Sequence, residues 1–263
     1  MKQQPAAKGA QFEGAQTEAE AAAAVRDMFD SIAPRYDLLN HVLSISLDRL
    51  WWWRAARSFD KILRRPEARV LDLCCGTGDM TLALLKRRPA AGERLIALDF
   101  SHVMLARGIE KFKAAGYSAS VEPIEADAMH LPLPDASVDL IVSAFGFRNL
   151  ANYDAALVEL HRVLKPGGML GILEANQPRG LLGAMYGLYF ERILPWIGRR
   201  ISGDRGAYYY LPASVARFPQ PPEMKAKMAR AGFAAPRWTR YTFGVVGLYR
   251  GMKPASTTDP DAA

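Results

Sequence analysis

The sequence predicts an α/β fold in which helices cover both faces of a mostly parallel β-sheet. Short apolar runs of strand length alternate along the chain with longer segments of helical periodicity. A glycine-rich turn follows the first apolar run, and an acidic residue ends the second. Half of the 263 residues are hydrophobic, which is sufficient for one large core with additional segments.

An N-terminal helical segment precedes the first predicted strand. Residues 25–65 should contain two or three helices, because Phe29, Ile32 and Tyr36 recur at helical spacing and Pro34 would kink or end the first helix. After it, strands and helices alternate. Strands are predicted over 68–73, 95–98, 120–124, 138–144 and 169–174, and helices over 81–87, 103–115 and 155–164. This order implies right-handed crossovers between parallel strands.

The alternation stops after Glu174. Residues 178–219 are rich in aromatic residues and arginine without strand periodicity, and we interpret them as an inserted helical cap. A helix over 222–232 and an antiparallel hairpin at the sheet edge within 236–249 should follow. The motif 165–168, Lys-Pro-Gly-Gly, predicts a helix stop and a tight turn.

These elements form a single predicted domain over 25–253. The tails 1–24 and 254–263 contain almost no large apolar side chains, so they should not bury enough surface to offset their chain entropy. We therefore expect both tails to be poorly ordered.

Composition narrows the functional classes. The net charge of +7 suits anionic ligands or an anionic membrane surface, whereas the chain has no basic block that would indicate nucleic-acid binding. Cys74 and Cys75 are adjacent and lack zinc-site spacing, which indicates a reduced cytoplasmic setting. The longest apolar run, 181–190, is too short to span a bilayer, and we find no signal-peptide pattern. We expect a cytoplasmic protein, with peripheral contact at the inner face of the membrane as a further option.

The turn after the first strand carries the clearest chemical signal. Gly76 and Gly78 allow a ligand to approach the backbone closely, and the following helix offers free N–H groups. Asp99 ends the second strand, where a carboxylate can accept hydrogen bonds from vicinal ribose hydroxyls. Asp127 and Ala128 follow the third strand and are placed to flank an adenine ring.

Two classes of cofactor use such a turn. A dinucleotide site requires a third glycine to seat its pyrophosphate, and Thr81 stands at that position. S-adenosylmethionine carries no phosphate and does not need this glycine, so the pattern favours the methyl donor over NAD. The alternative is a glycine turn that only packs a helix on the sheet, although the acids at the strand ends argue against it.

Longer motifs then resemble one family across nearly the whole predicted domain. They are FDSIAPRYDLLN at 29–40, Ser44, RLW at 49–51, FGFRN at 145–149, Tyr209, Leu211, Phe218-Pro219 and GVV at 244–246. Together they resemble the quinone-biosynthesis C-methyltransferases, which include demethylmenaquinone methyltransferase and its ubiquinone-pathway counterpart. Some positions depart from the pattern: Ala144 replaces a frequent serine, Ser46 a glycine, and EANQP at 174–178 a common EFSKP.

The resemblance implies a class I methyltransferase Rossmann-like fold with seven strands and S-adenosylmethionine as the donor. We assign the donor to one set of residues: Asp72, Gly76, Thr77, Gly78, Asp99, Phe100, Asp127, Ala128 and Ala144. Tyr36, Arg148 and Asn149 are assigned to the acceptor, and the last two are the candidate catalytic residues. They would bind the quinol oxygens, directly or through a water that removes a proton.

Several alternatives remain open on the sequence alone. Arg148 could instead pair with a neighbouring acid, Tyr36 could belong to the core, and His130 could act as a base. The three tryptophans at 51–53 and the aromatic residues of 185–196 could line a path for a prenyl chain, touch a membrane or only pack.

The acceptor is the least defined partner. The sequence of residues 32–40 resembles the menaquinone type more closely. It therefore favours demethylmenaquinol, which would give menaquinol, over 2-polyprenyl-6-methoxy-benzoquinol of ubiquinone biosynthesis. A small-molecule methyltransferase outside quinone pathways and a binding module without catalysis are the further alternatives.

Overall fold

A seven-stranded sheet forms the centre of the protein, in the order β3-β2-β1-β4-β5-β7-β6. The computed structural model describes residues 9–10, 16–37, 44, 46–178 and 206–255. The strands are β1 Val70–Leu73, β2 Leu95–Asp99, β3 Val121–Glu125, β4 Val138–Ala144, β5 Leu164–Ala175, β6 Ala234–Tyr241 and β7 Val246–Met252. Strands β1 to β5 are mutually parallel, whereas β7 runs antiparallel to both β5 and β6. The predicted mostly parallel sheet and its edge hairpin are confirmed.

Helices cover both faces of this sheet. In chain order the described helices are α1 Glu18–Ile32, α2 Asp48–Arg57, α3 Asp60–Leu63, α4 Asp79–Leu85, α5 His102–Ala114, α6 Tyr153–Val163, α7 Gly206–Arg217 and α8 Pro221–Arg230. One apolar cluster packs α2, α4 and α5 on the first face, and a second packs α6 and α8 on the other. Because helices cover both faces of the sheet, a ligand-binding site is expected at the carboxyl ends of the parallel strands.

The first helix begins earlier than the sequence predicted. Thr17 caps α1: its hydroxyl accepts from the backbone N–H of Glu20 at 3.1 Å, and the Glu20 carboxylate accepts from the N–H of Thr17. Ala21 and Val25 are the buried residues of this helix. The predicted tail of 1–24 is therefore wrong for 18–24, because alanine and glutamate favour a helix even without large apolar residues. Pro34 follows the end of α1, as predicted, in a 3-10 turn over Ala33–Arg35.

The Lys-Pro-Gly-Gly motif also differs from its prediction. Helix α6 stops at Val163, as expected, but the motif continues directly into β5 instead of forming a separate turn. Gly167 adopts φ +76°, and the pairing with β4 shifts register between Val138 and Leu140. The extra residues are absorbed as a β-bulge within the strand.

The predicted cap over 178–219 is described only in part. Residues 206–217 form α7, whereas 179–205 lie outside the described residues, together with the aromatic residues 185–196. Among the described residues, no helix is long and apolar enough to cross a membrane.

Candidate active site

A cavity of about 980 Å³, measured with its open mouth, lies at the carboxyl ends of β1, β2 and β4. Its described lining residues come from α1, the turn after β1, the ends of β2 and β4, and the segments that follow β3 and β4: Ala22, Phe29, Tyr36, Trp52, Cys74, Cys75, Gly76, Thr77, Asp79, Met80, Leu98, Asp99, Phe100, Met104, Ala126, Asp127, Ala128, Met129, Ala144, Phe145, Gly146, Asn149, Leu150 and Ala151.

The turn after β1 forms the floor of this cavity. Cys74, Gly76 and Gly78 all have positive φ angles, of 54°, 54° and 86°. A Cβ added to Gly76 would have only the Tyr36 ring within 4 Å, at 3.9 Å, whereas one added to Gly78 would lie 2.2 Å from the Phe112 ring. Gly76 therefore leaves open space for a ligand, and Gly78 makes room for α5 to pack.

Asp99 is held in place at the end of β2. Its Oδ2 accepts from the backbone N–H of Gly76 at 2.8 Å, and its Oδ1 accepts from that of Ser101 at 2.9 Å. Burial raises the pKa of Asp99 to about 6, although these backbone hydrogen bonds act in the opposite direction. The carboxylate thus joins the glycine turn to the second strand and still lines the cavity.

The charge of the cavity has one sign. Asp79, Asp99 and Asp127 contribute to its lining, and the described lining residues include no lysine, arginine or histidine. This contrasts with the net charge of +7 for the whole chain. Asp79 is paired with Lys111, so the negative charge of the cavity lies mainly on Asp99 and Asp127, and this charge suits a cationic ligand and opposes a pyrophosphate.

Thr77 belongs to a network that joins three elements. Its hydroxyl donates to Asp37 Oδ1 at 2.5 Å, and Lys111 on α5 lies 3.1 Å from the same hydroxyl. The Lys111 ammonium also pairs with Asp37 Oδ2 at 2.7 Å and with Asp79 Oδ1 at 3.1 Å. The segment that follows α1 is thereby fastened to the glycine turn.

The opposite wall is formed by the segment that follows β4. Asn149 lines the cavity, and its Oδ1 accepts a hydrogen bond from the Tyr210 hydroxyl at 3.1 Å. Burial raises the pKa of Tyr210 to about 12, so this phenol stays protonated and donates at neutral pH. The Asn149 amide is therefore fixed with its oxygen toward α7.

The Arg148 side chain is buried against Glu174 and is not among the residues that line the cavity. Its Nη1 donates to Glu174 Oε2 at 2.9 Å and to the carbonyl of Phe145, and Glu174 Oε1 accepts from the Arg148 backbone N–H at 3.0 Å. Only 8% of the Arg148 side chain and none of the Glu174 side chain is exposed. Burial lowers the pKa of the Arg148 guanidinium, but Glu174 together with Tyr36 and Tyr210 outweighs burial, so the pKa is raised.

The structure brings most of the predicted site residues together. Those that line the cavity are Tyr36, Gly76, Thr77, Asp99, Phe100, Asp127, Ala128, Ala144 and Asn149. Asp72, Gly78 and Arg148 are not among the lining residues, and their predicted ligand contacts stay predictions. Asp72 is fully buried and accepts from the Thr81 hydroxyl at 2.6 Å, Gly78 packs against Phe112, and Arg148 pairs with Glu174.

Several residues that line the cavity were not assigned to it from the sequence: Phe29, Phe145 and Met104, the last of which lies on the first turn of α5. Trp52 also lines the cavity, which was one of the options left open for the three tryptophans. No local motif distinguishes Met104, which is one of ten methionines in the chain and occupies an ordinary apolar position of its helix. His130 contacts Asp127 at 3.3 Å, but its side chain is 82% exposed and does not line the cavity.

These residues fit S-adenosylmethionine. The open space above Gly76 can take a ligand close to the backbone, and Asp99 lies where a ribose would meet the end of β2. Asp127 is about half exposed at the mouth, next to the buried Ala128. Asp99 and Asp127 complement a sulfonium cation, whereas a dinucleotide would bring its phosphates close to these carboxylates.

The sequence matches one protein family over most of its length. The profile of the ubiE/COQ5 methyltransferase family matches residues 16–253. A demethylmenaquinone methyltransferase of Thermus thermophilus is 48% identical over 228 residues, which cover 86% of this chain and 100% of that protein. A ubiquinone/menaquinone biosynthesis C-methyltransferase UbiE of Geobacter sulfurreducens is 42% identical and covers 87% of this chain and 88% of its own length.

Solved structures agree on the fold. A SAM-dependent methyltransferase from Thermotoga maritima superposes with a TM-score of 0.61 at 20% identity, over 87% of this chain and 99% of its own. Another, from Aquifex aeolicus, superposes with a TM-score of 0.57 at 22% identity, over 78% and 92% of the two chains. The class I methyltransferase fold predicted from the sequence is confirmed.

Proposed function

Because this chain belongs to the ubiE/COQ5 methyltransferase family, we propose that it transfers a methyl group from S-adenosylmethionine to a ring carbon of a prenylated quinol. The single observation that supports this donor most directly is the anionic cavity, which is lined by three aspartates and by no described basic residue. Relatives that share 39 to 48% identity are named as methyltransferases of menaquinone or ubiquinone biosynthesis.

We propose demethylmenaquinol as the acceptor. Two relatives named demethylmenaquinone methyltransferase, from Thermus thermophilus and Deinococcus radiodurans, share 48% and 46% identity with this chain. The relatives of Geobacter sulfurreducens and Geotalea daltonii, whose names include ubiquinone, share 42% and 40%. A prenylated acceptor partitions into bilayers, so the proposal includes peripheral contact with the inner face of the cytoplasmic membrane.

The residues of the chain divide the work by position. Bound S-adenosylmethionine supplies an electrophilic methyl group on a sulfonium. Asp99 would hold the ribose at the end of β2, with its carboxylate oriented by the N–H groups of Gly76 and Ser101. Asp127 would bond the adenine beside Ala128. Holding two reactants in this way supplies several kcal/mol of the barrier reduction.

The acceptor would lie against the wall that follows β4. Asn149 faces the cavity with an oriented amide, and the Tyr36 ring closes it from the N-terminal side. The aromatic rings of Trp52 and Phe145 would pack on the quinol and exclude water. Arg148 would act as a positioning residue, because its pair with Glu174 fixes the turn that presents Asn149.

Calorimetry and product analysis test this function together. The purified protein should bind S-adenosylmethionine and should not bind NAD. With a short-chain demethylmenaquinol kept reduced, it should form one product in which a methyl group replaces a ring hydrogen, together with S-adenosylhomocysteine and a released proton. A matched benzoquinol acceptor should react more slowly. If the protein does not bind the donor, the methyltransferase proposal fails; if the benzoquinol reacts faster, only the choice of acceptor fails.

A further inference from the structure

The outer face of α2 and the turn between β6 and β7 expose a group of large apolar side chains. Leu47, Leu50, Trp53 and Phe243 are 38%, 46%, 46% and 77% exposed. Phe243 lies at the tip of the turn with φ +56°, in the left-handed region that a bulky residue rarely adopts. We refer to these four residues as the apolar patch.

Two contacts join α2 to this turn, so the patch is one surface. The Trp51 indole N–H donates to the hydroxyl of Thr242, the residue immediately before Phe243, at 2.7 Å. The Arg54 guanidinium lies 4.4 Å above the ring of Tyr241. The helix and the turn therefore present their exposed residues side by side.

The surroundings of the patch are strongly basic. Arg49, Arg54 and Arg57 on α2 and Arg240 beside the turn are all exposed, and Arg57 lies 5.2 Å above the Trp53 ring. Within residues 46–59 and 234–246 the only acid is Asp48, which is 2% exposed. Apolar side chains that project from an arginine-rich surface fit the interface of an anionic bilayer, where the rings enter the headgroup region and the cations meet lipid phosphates.

The same helix also forms a wall of the active site. Trp52, on the inner side of α2, lines the cavity, and the Trp51 ring lies 6.0 Å from that of Phe145, which lines it as well. A lipid held at the outer face of α2 would thus lie one helix away from the site of methyl transfer.

We infer that the apolar patch with its arginines is the surface by which this protein binds an anionic membrane. The inference rests on the proposed function, because a lipid acceptor requires the enzyme to work at a bilayer. The four apolar residues would insert between the lipids, and the arginines around them would meet the headgroups.

Co-sedimentation with vesicles of phosphatidylcholine, with and without phosphatidylglycerol, tests this surface. The protein should sediment with the anionic vesicles only, and less so as salt is added, because salt screens the attraction. Phe243→Asn should weaken partition by about tenfold through the loss of one buried ring. Asparagine tolerates a positive φ, so the turn should keep its conformation. Val158→Asn, which removes an aliphatic side chain that is 61% exposed on α6, should leave partition unchanged.

The arginines are tested in the same assay. Arg49→Gln combined with Arg57→Gln should reduce partition roughly fivefold for each cation removed. The matched control is Arg107→Gln with Lys113→Gln, two exposed cations on α5, and it should bind as the parent does. All variants should keep the parent's affinity for S-adenosylmethionine, which shows that they are folded.

Two results would overturn the inference. The first is partition that is equal in Phe243→Asn and the parent, or absent in the parent. The second is a concentration-dependent dimer that only Phe243→Asn abolishes, since the patch would then join two copies of the chain. Turnover of a short-chain acceptor in detergent-free buffer is measured separately, so a failure of the membrane surface is distinguishable from a failure of the proposed function.

Discussion

Asp99 shows how one side chain can link the fold to ligand binding. Two backbone N–H groups orient its carboxylate, while burial raises its pKa to about 6. About nine in ten such carboxyls are ionised at pH 7 and about one in ten at pH 5. The ionised form accepts hydrogen bonds more strongly and attracts a cation, so at the proposed donor site binding should depend on this proton.

We therefore expect the affinity for S-adenosylmethionine to fall as the pH is lowered through about 6. Asp99→Asn should bind roughly tenfold or more weakly at neutral pH, because hydrogen bonds to a charged group contribute about 1.5–3 kcal/mol. It should also lose the pH dependence. Calorimetric dissociation constants of both proteins across this range check the prediction. An affinity of the parent protein that stays constant over this range would contradict it.

Arg148 and Glu174 form a second residue-scale unit, in which each charge depends on the other. Arg148→Met should destabilise the protein by about 3–5 kcal/mol, because it leaves a buried carboxylate without its partner. Adding Glu174→Gln should restore much of this stability and part of the turnover. Urea denaturation and steady-state kinetics measure both. A double variant that is stable but fully inactive would show that the guanidinium acts directly on the acceptor.

At the scale of elements, the Lys111 network determines how α1 and its following turn close over the cavity. Lys111 on α5 pairs with Asp37 after α1 and with Asp79 at the start of α4. Three separate elements thus meet at one ammonium group that is about one quarter exposed. Such a partly screened network holds a segment in place more than it adds to global stability.

Lys111→Met should loosen this closure. We expect faster hydrogen exchange over residues 18–37 and several-fold weaker donor binding, with little change in the melting temperature. Lys113→Met, an exposed lysine on the same helix, is the matched control and should behave as the parent does. Exchange over 18–37 that is identical in all three proteins would refute the role of Lys111.

The elements show what periodicity can predict. Strand β4 has the predicted bounds, and β2 and α5 differ from theirs by a single residue at their ends, because their apolar patterns are strong. Helix α1 was partly missed since its alanines carry little hydrophobic signal, although Thr17 and Glu20 form a capping box that could have revealed its start. The bulge in β5 depends on pairing with β4, which local sequence does not encode.

The site shows a similar division. Motifs identified the glycine turn, Asp99, Asp127 and Asn149, because each lies at or just beyond the end of a strand. The sequence left a pair between Arg148 and a neighbouring acid as an alternative and did not identify Glu174 as the partner. The two residues meet only in the folded sheet, where the turn after β4 lies beside the end of β5. Lys111 was not predicted for the same reason.

At the scale of the whole molecule, buried carboxylates set the dependence of stability on pH. Burial raises the pKa of Asp72 to about 7, and Oδ1 of Asp72 has no hydrogen-bond partner among the described residues. In the unfolded chain this carboxyl titrates near 3.8. The folded protein therefore binds more protons at this carboxyl between these values, so the contribution of Asp72 to stability decreases as the pH rises from about 4 to about 7.

Asp72→Asn should remove this contribution. We expect the variant to be more stable than the parent above about pH 7, and the difference to shrink toward about pH 4, where both forms are neutral. The difference in melting temperature between the variant and the parent, measured at the same pH, tests this prediction. The contributions of the other titrating groups are the same in both proteins and cancel. A variant that is less stable at high pH would show that Thr81 needs the charged acceptor.

The position of β7 has a consequence for synthesis. This strand lies between β5 and β6 and pairs with both, yet it is translated after them. Until residues 246–252 leave the ribosome, a nascent chain has β5 with one bare edge and β6 without a neighbour, and such edges recruit other chains. Glu174, at the end of β5, would gain its final surroundings only after β7 has paired with β5. A stop codon just before Val246 should therefore yield aggregates rather than a smaller enzyme.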